Sequence, residues 1–179
     1  MNIPNLLTII RIILVPLIVI LLMDGAYVKA LLVFIMAGLT DALDGFLARV
    51  LLQKTALGGY LDPIADKILI GSCFTTLAIM GILPGWLAVV IISRDVIIIL
   101  GICILTIMGI SYEIKPVFVS KVTTTLQIIT VFAVLTLKCL PGIFTPLWIH
   151  GLFWISAVFT MVSGMDYMII WIKMINHQS

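Results

Sequence analysis

Four of the eight acidic residues of this chain cluster between positions 41 and 66: Asp41, Asp44, Asp62 and Asp66. Asp41 and Asp44 stand three apart and Asp62 and Asp66 four apart, spacings that put each pair on one face of a helix. The residues between and around them are mostly apolar. Burying one ionised Asp in a membrane helix costs at least ~3 kcal/mol on insertion scales, and four close together also repel. The cations nearby in sequence, Arg49, Lys54 and Lys67, are too few to neutralise them as ion pairs. A divalent metal is the economical counter-charge. Oxygen ligands without His or Cys favour a hard ion, Mg²⁺ or Mn²⁺, and two ions bridged by shared carboxylates serve phosphoryl chemistry. Gly45 and Ala48 leave room beside the same helix for a bulky flat group. Arg49 offers a fixed cation suited to a diphosphate. Gly58 and Gly59 are expected to loosen the entry into the helix carrying Asp62 and Asp66.

The elements that position these groups follow from composition. Apolar residues make up 63% of the 179-residue chain and charged residues 10%, with a mean hydropathy of +1.34. A soluble domain carries about 25% charged residues. A cytosolic enzyme, a disordered regulator and a secreted disulfide scaffold are therefore excluded. The net charge of +2 is too small to imply nucleic acid. Cys73, Cys103 and Cys139 fit no metal spacing and read as small buried hydrophobes.

A spanning helix needs about 20 apolar residues, and the length and apolar runs of the chain allow six, with breaks at Asp24-Gly25, Pro84-Gly85 and Pro141-Gly142 among their boundaries. The expected spans are 5–23, 28–51, 60–83, 85–109, 116–137 and 147–172. The fold class is thus an all-α integral membrane protein, residues 1–179 forming one domain. Arg11, Arg49, Lys54, Lys67, Lys115, Lys121 and Lys173 fall on one side, and Lys29 and Lys138 on the other. That excess places both termini in the cytoplasm and the acidic cluster in the cytoplasmic half of the bundle.

Asp41, Asp44, Gly45, Ala48, Arg49, Gly58, Asp62 and Asp66 together match, at every fixed position and spacing, the signature of the CDP-alcohol phosphatidyltransferases. The resemblance extends over most of the chain. It implies transfer of the phosphatidyl group from CDP-diacylglycerol to an alcohol, with CMP leaving. By that likeness the four Asp ligate the metals and Asp66 is also the general base. Gly45, Ala48 and Arg49 line the cytidine diphosphate pocket, with Thr55 and Asn5 as weaker candidates. A homodimer through membrane helices is implied too. Asn5 to Arg11, Leu61 to Lys67, Arg94-Asp95, Ser120-Lys121 and Ser163-Gly164 with Tyr167 resemble the phosphatidylglycerophosphate synthase branch, whose acceptor is glycerol 3-phosphate. The cardiolipin synthase branch shares several of these features and takes phosphatidylglycerol.

Arg94 and Lys121 bear on the acceptor. Arg94 lies about nine residues into span four, where a cation needs an anionic partner. Neighbouring Asp95 is expected to point about 100° away. Lys121 sits roughly one turn inside span five, and snorkelling to the headgroups would also satisfy it. Together they form a candidate pocket for an acceptor phosphate, which both acceptors carry. Trp86, Trp148, Trp154 and Trp171 are placed as interfacial anchors. Asp166 is one more intramembrane acid, with Lys173 as a possible partner. A function of another class, a small metal-ion transporter, would also use intramembrane acids, but no inverted repeat is visible. The first apolar run has no small-residue cleavage site and no transit peptide precedes it, so a bacterial plasma membrane is the expected location.

Overall fold

The computed structural model describes residues 3–50, 56–108, 118–140 and 146–176, with side chains described for 8–41, 64–105, 107–108, 118–140 and 148–174. Asn5, Asp44, Gly45, Ala48, Arg49, Thr55 and Asp62 therefore lie outside the described side chains. Six helices are described: α1 (Ile3–Met23), α2 (Tyr27–Val50), α3 (Ala56–Ile79), α4 (Gly85–Ile107), α5 (Phe118–Cys139) and α6 (Pro146–Asn176). Their order and approximate bounds follow the expected spans. By length and composition, three are apolar enough to cross a membrane: Gly85–Leu105, Phe118–Cys139 and Trp148–Met174. Thr8–Met23 is a shorter apolar helix.

Two helix ends have clear local causes. Gly25 and Gly81 both have φ of 68°, a left-handed conformation that costs glycine little. After α1, Ala26 N–H donates to Leu21 O at 2.9 Å and Gly25 N–H to Leu22 O at 2.9 Å. After α3, Ile82 N–H donates to Leu77 O at 2.9 Å and Gly81 N–H to Ala78 O at 3.0 Å. This paired closure satisfies carbonyls that a helix end would otherwise leave bare. It stops α3 at Ile79, short of the expected 83. At its other end α3 begins at Ala56, so Gly58 and Gly59 lie within the helix and not in a loosened entry. An interior glycine weakens a helix by about 1 kcal/mol without ending it.

Beside an apolar core that includes Ile18, Phe74, Leu77 and Ile91, large apolar side chains are also exposed and several polar ones are buried. Ile13, Ile79, Ile107 and Phe118 are exposed, whereas Thr8, Arg11, Arg94, Thr123, Gln127, Thr130, Ser156, Thr160 and Ser163 are buried. Apolar side chains on the outside and polar ones between helices suit a lipid solvent, in which polar groups hold helices together. Cys73 is buried as expected, but Cys103 is exposed on that apolar outside and Cys139 is half-buried.

Packing divides the chain into two units. The first holds residues 1–83 and 131–144, and the second 84–130 and 145–179. In the first, α1 packs against both α2 and α3, and the Lys138 ammonium lies 5.9 Å from the Tyr27 ring centroid. In the second, α4 packs on α6. Trp86 meets Trp154 with centroids 4.9 Å apart, Arg94 bonds Ser163, and Gly101 faces the Trp171 indole. Successive residues of α4 thus meet successive residues of α6 in the same order, so the two helices run parallel. Helix α5 runs the other way along α6, through Thr123 Oγ1 to Phe159 O at 3.0 Å, Gln127 Nε2 to Thr160 Oγ1 at 3.3 Å and Thr130 Oγ1 to Ser156 Oγ at 2.7 Å.

Candidate active site

In the first unit the signature acids meet a cation from a third helix. Arg11, in the third turn of α1, is fully buried. Its Nη2 lies 2.8 Å from Asp41 Oδ1 and its Nη1 lies 2.6 Å from Asp66 Oδ1. One guanidinium fork thereby ties the first signature carboxylate, on α2, to the last, on α3. That acids of these two helices could meet was legible in the sequence, and Asp41 and Asp66 do so, but the cation that joins them was not. Arg49, Lys54 and Lys67 drew attention because they are close in sequence. Arg11 is close in space, 55 residues from Asp66. The missed signal was a charged residue inside the first apolar run, which requires a buried partner. Thr8, one turn earlier on α1, is buried with it.

Asp41 and Asp66 retain 45% and 35% side-chain exposure beside a guanidinium that has none. The charge pair is therefore open on the carboxylate side and closed on the arginine side. Among the described residues no three His, Cys, Asp or Glu converge as a ligand set. Asp44 and Asp62, the two remaining signature acids, are outside them.

In the second unit Arg94 is buried, and its partners correct the expectation drawn from helix geometry. Its Nη1 lies 2.7 Å from Asp95 Oδ1. Adjacent Cα–Cβ bonds do diverge, but the long arginine side chain curls back far enough to close the pair. Arg94 Nη2 donates to Ser120 Oγ of α5 at 2.8 Å and to Ser163 Oγ of α6 at 2.7 Å. The Tyr167 ring centroid lies 5.9 Å from the guanidinium carbon. Arg94 thus knots α4, α5 and α6 together, and its Nε is buried without a hydrogen-bond partner among the described residues. Lys121 follows Ser120 and is exposed. Trp171 is no simple interfacial anchor: its ring covers Gly101, and its Nε1 is buried without a hydrogen-bond partner among the described residues. Neither Asp166 nor Lys173 takes part in an ion pair among the described residues.

Residues 1–171 match the family model of the CDP-alcohol phosphatidyltransferases. The chain belongs to that family. Among its relatives, a cardiolipin synthase (CMP-forming) of Rattus norvegicus is 40% identical over 148 residues, covering 74% of this chain and 49% of the rat protein. A CDP-diacylglycerol–glycerol-3-phosphate 3-phosphatidyltransferase of Bacillus subtilis is 32% identical over 182 residues, covering 93% of both chains. A probable phosphatidylglycerophosphate synthase of Mycobacterium tuberculosis is 34% identical over 175 residues, covering 93% of this chain and 79% of the other. The chain spans about half the length of the mammalian cardiolipin synthases it matches. As a phosphatidyltransferase-family chain, it presents in Asp41 and Asp66 the two ends of the family signature, held at one point.

Proposed function

We propose that this protein transfers the phosphatidyl group of CDP-diacylglycerol to glycerol 3-phosphate, forming phosphatidylglycerophosphate and CMP in phospholipid synthesis. The observation that carries the reading is the convergence of Asp41 and Asp66 on Arg11 in a chain of this family. In the reaction the acceptor hydroxyl oxygen bonds to the phosphorus next to diacylglycerol. The bond from that phosphorus to the CMP oxygen breaks, and CMP leaves with the electron pair. Asp66, at the exposed side of the pair, takes the hydroxyl proton as general base.

The donor chemistry fits a hard divalent ion: the described signature groups are carboxylates, and both already converge on a cation. Asp41, Asp44, Asp62 and Asp66 would hold Mg²⁺ or Mn²⁺, two ions in this reading, which when bound offset the diphosphate charge and stabilise departing CMP. Gly45, Ala48, Arg49, Thr55 and Asn5 are assigned to CDP-diacylglycerol. Arg94 and Lys121 are assigned to the acceptor phosphate. The exposure of Lys121 beside Ser120, and the unpartnered Nε of Arg94, support that assignment. The remaining parts of the reading are six spans with cytoplasmic termini, a site in the cytoplasmic half, a bacterial plasma membrane and a homodimer.

A second reading keeps the family and changes the acceptor to phosphatidylglycerol, giving cardiolipin directly. The 40% identity to the rat cardiolipin synthase favours it. The match to a transferase family over residues 1–171 weighs against a metal-ion transporter. The deciding experiment supplies purified protein with CDP-diacylglycerol and either glycerol 3-phosphate or phosphatidylglycerol, and identifies the lipid formed as CMP is released. Phosphatidylglycerophosphate supports the first reading. Cardiolipin, with no phosphatidylglycerophosphate, replaces it with the second.

A further inference from the structure

We propose that Arg11 is a positioning residue of the acidic site: its guanidinium fork sets the spacing of the Asp41 and Asp66 carboxylates before a divalent ion binds. The inference rests on the reading of these two acids as ion ligands.

The argument starts from burial. Arg11 has no side-chain exposure, and a buried cation in an apolar helix must be paired. One carboxylate would neutralise it. The structure instead gives it two, from two helices, each on a different terminal nitrogen. A planar guanidinium holds its N–H groups in fixed directions, so the fork sets the direction from which each Oδ1 meets Arg11. Both carboxylates remain part-exposed, at 45% and 35% of the side chain, although Arg11 itself is not. Without such a brace, the first and last signature acids would depend on the incoming ion to overcome their repulsion. Groups that orient a ligating carboxylate are worth about 10- to 100-fold in metal affinity or activity.

Charge and geometry make opposite predictions, which separates them. A permanent cation beside a metal site repels the ion, so removing its charge favours ion binding. Removing a brace weakens it. Arg11→Lys keeps the charge and loses the fork, and so isolates geometry. Arg11→Met removes both and leaves two acids unneutralised, so it is the variant at risk of not folding.

The test uses the full-length protein in detergent. Mn²⁺ binding is read by electron paramagnetic resonance, and thermal unfolding is followed in chelator. For Arg11→Lys we expect a metal-free unfolding midpoint near wild type, Mn²⁺ binding weakened about tenfold or more, and kcat reduced further than the KM for CDP-diacylglycerol is raised. Wild-type Mn²⁺ affinity in a folded Arg11→Lys protein would overturn the positioning role. So would an Arg11→Lys protein that unfolds in chelator well below wild type yet, where folded, binds Mn²⁺ normally, because Arg11 would then serve stability alone. If the wild-type protein binds no Mn²⁺, or Asp41→Asn binds it as wild type does, the ligand reading itself fails and the inference falls with it.

Discussion

Asp66 accepts a hydrogen bond from Arg11, and in the proposed reaction it also takes a proton from the acceptor. The two demands separate by experiment. Asp66→Asn keeps the shape, removes the charge and gives Arg11 a weaker partner. Because Asp66 is part-exposed, the stability loss should be modest, near the low end of a charged hydrogen bond at about 1.5 kcal/mol. The rate of CMP release in a single turnover should fall far more than donor binding weakens. Equal loss of both would make Asp66 chiefly a ligand. Arg94 and Lys121 diverge in the same way. Lys121→Ala should raise the acceptor KM about 10- to 150-fold, the value of a charged hydrogen bond to phosphate, with the unfolding midpoint unchanged. Arg94→Ala should also lower that midpoint, because it strips partners from Asp95, Ser120 and Ser163. An Arg94→Ala protein as stable as wild type would deny the three-helix knot. At this scale the acids were legible because their types and spacing are local facts. Arg11 was not, because ion pairing is decided by which helices pack, and no local pattern ties α1 to α2 and α3.

Helices were the most legible level. Apolar runs and turn signals placed six helices in order at approximately the described bounds, and Gly25 does end α1 with the hydrogen bonds such a glycine permits. What the runs could not reveal was the facing of small residues. Gly101 reads as one more apolar-helix glycine, yet a Cβ there would run into the Trp171 ring. Gly71 looks the same in sequence and has open space around it. Gly101→Ala should therefore cost about 1–3 kcal/mol of overpacking. Gly71→Ala should be neutral or gain up to about 1 kcal/mol from helix propensity. Thermal unfolding of the two variants in one detergent checks the contrast, and equal midpoints would remove the Trp171 contact from the account of how α4 and α6 hold together. The buried hydroxyl and amide pairs between α5 and α6 were equally hidden: Thr123, Gln127 and Thr130 are scattered polar letters until the helix face is known.

The proposed six-span arrangement with cytoplasmic termini joins the charge bias of the sequence to contacts within each unit. Parallel α4 and α6, with α5 reversed along α6, are what three consecutive spans require. In the first unit, Lys138 at the end of α5 sits over Tyr27 at the start of α2. A chain that crosses at every helix puts the start of α2 and the end of α5 on the same side, and that is the side holding the few cations, Lys29 and Lys138. In the proposed orientation the more basic side is cytoplasmic, the side from which the proposed water-soluble acceptor would reach the lipid donor. This predicts an accessibility pattern. With Cys73, Cys103 and Cys139 replaced by Ala, single cysteines at Asp24, Lys54, Lys115 and Ser179 should divide into two classes in intact bacterial cells expressing the protein. A membrane-impermeant maleimide should label Asp24→Cys from outside. It should reach Lys54→Cys, Lys115→Cys and Ser179→Cys only after permeabilisation. Labelling of Lys54→Cys in intact cells would reverse the orientation and put the acceptor site on the wrong face for a cytoplasmic substrate. Labelling of Ser179→Cys but not Lys54→Cys from outside would instead require an odd number of crossings.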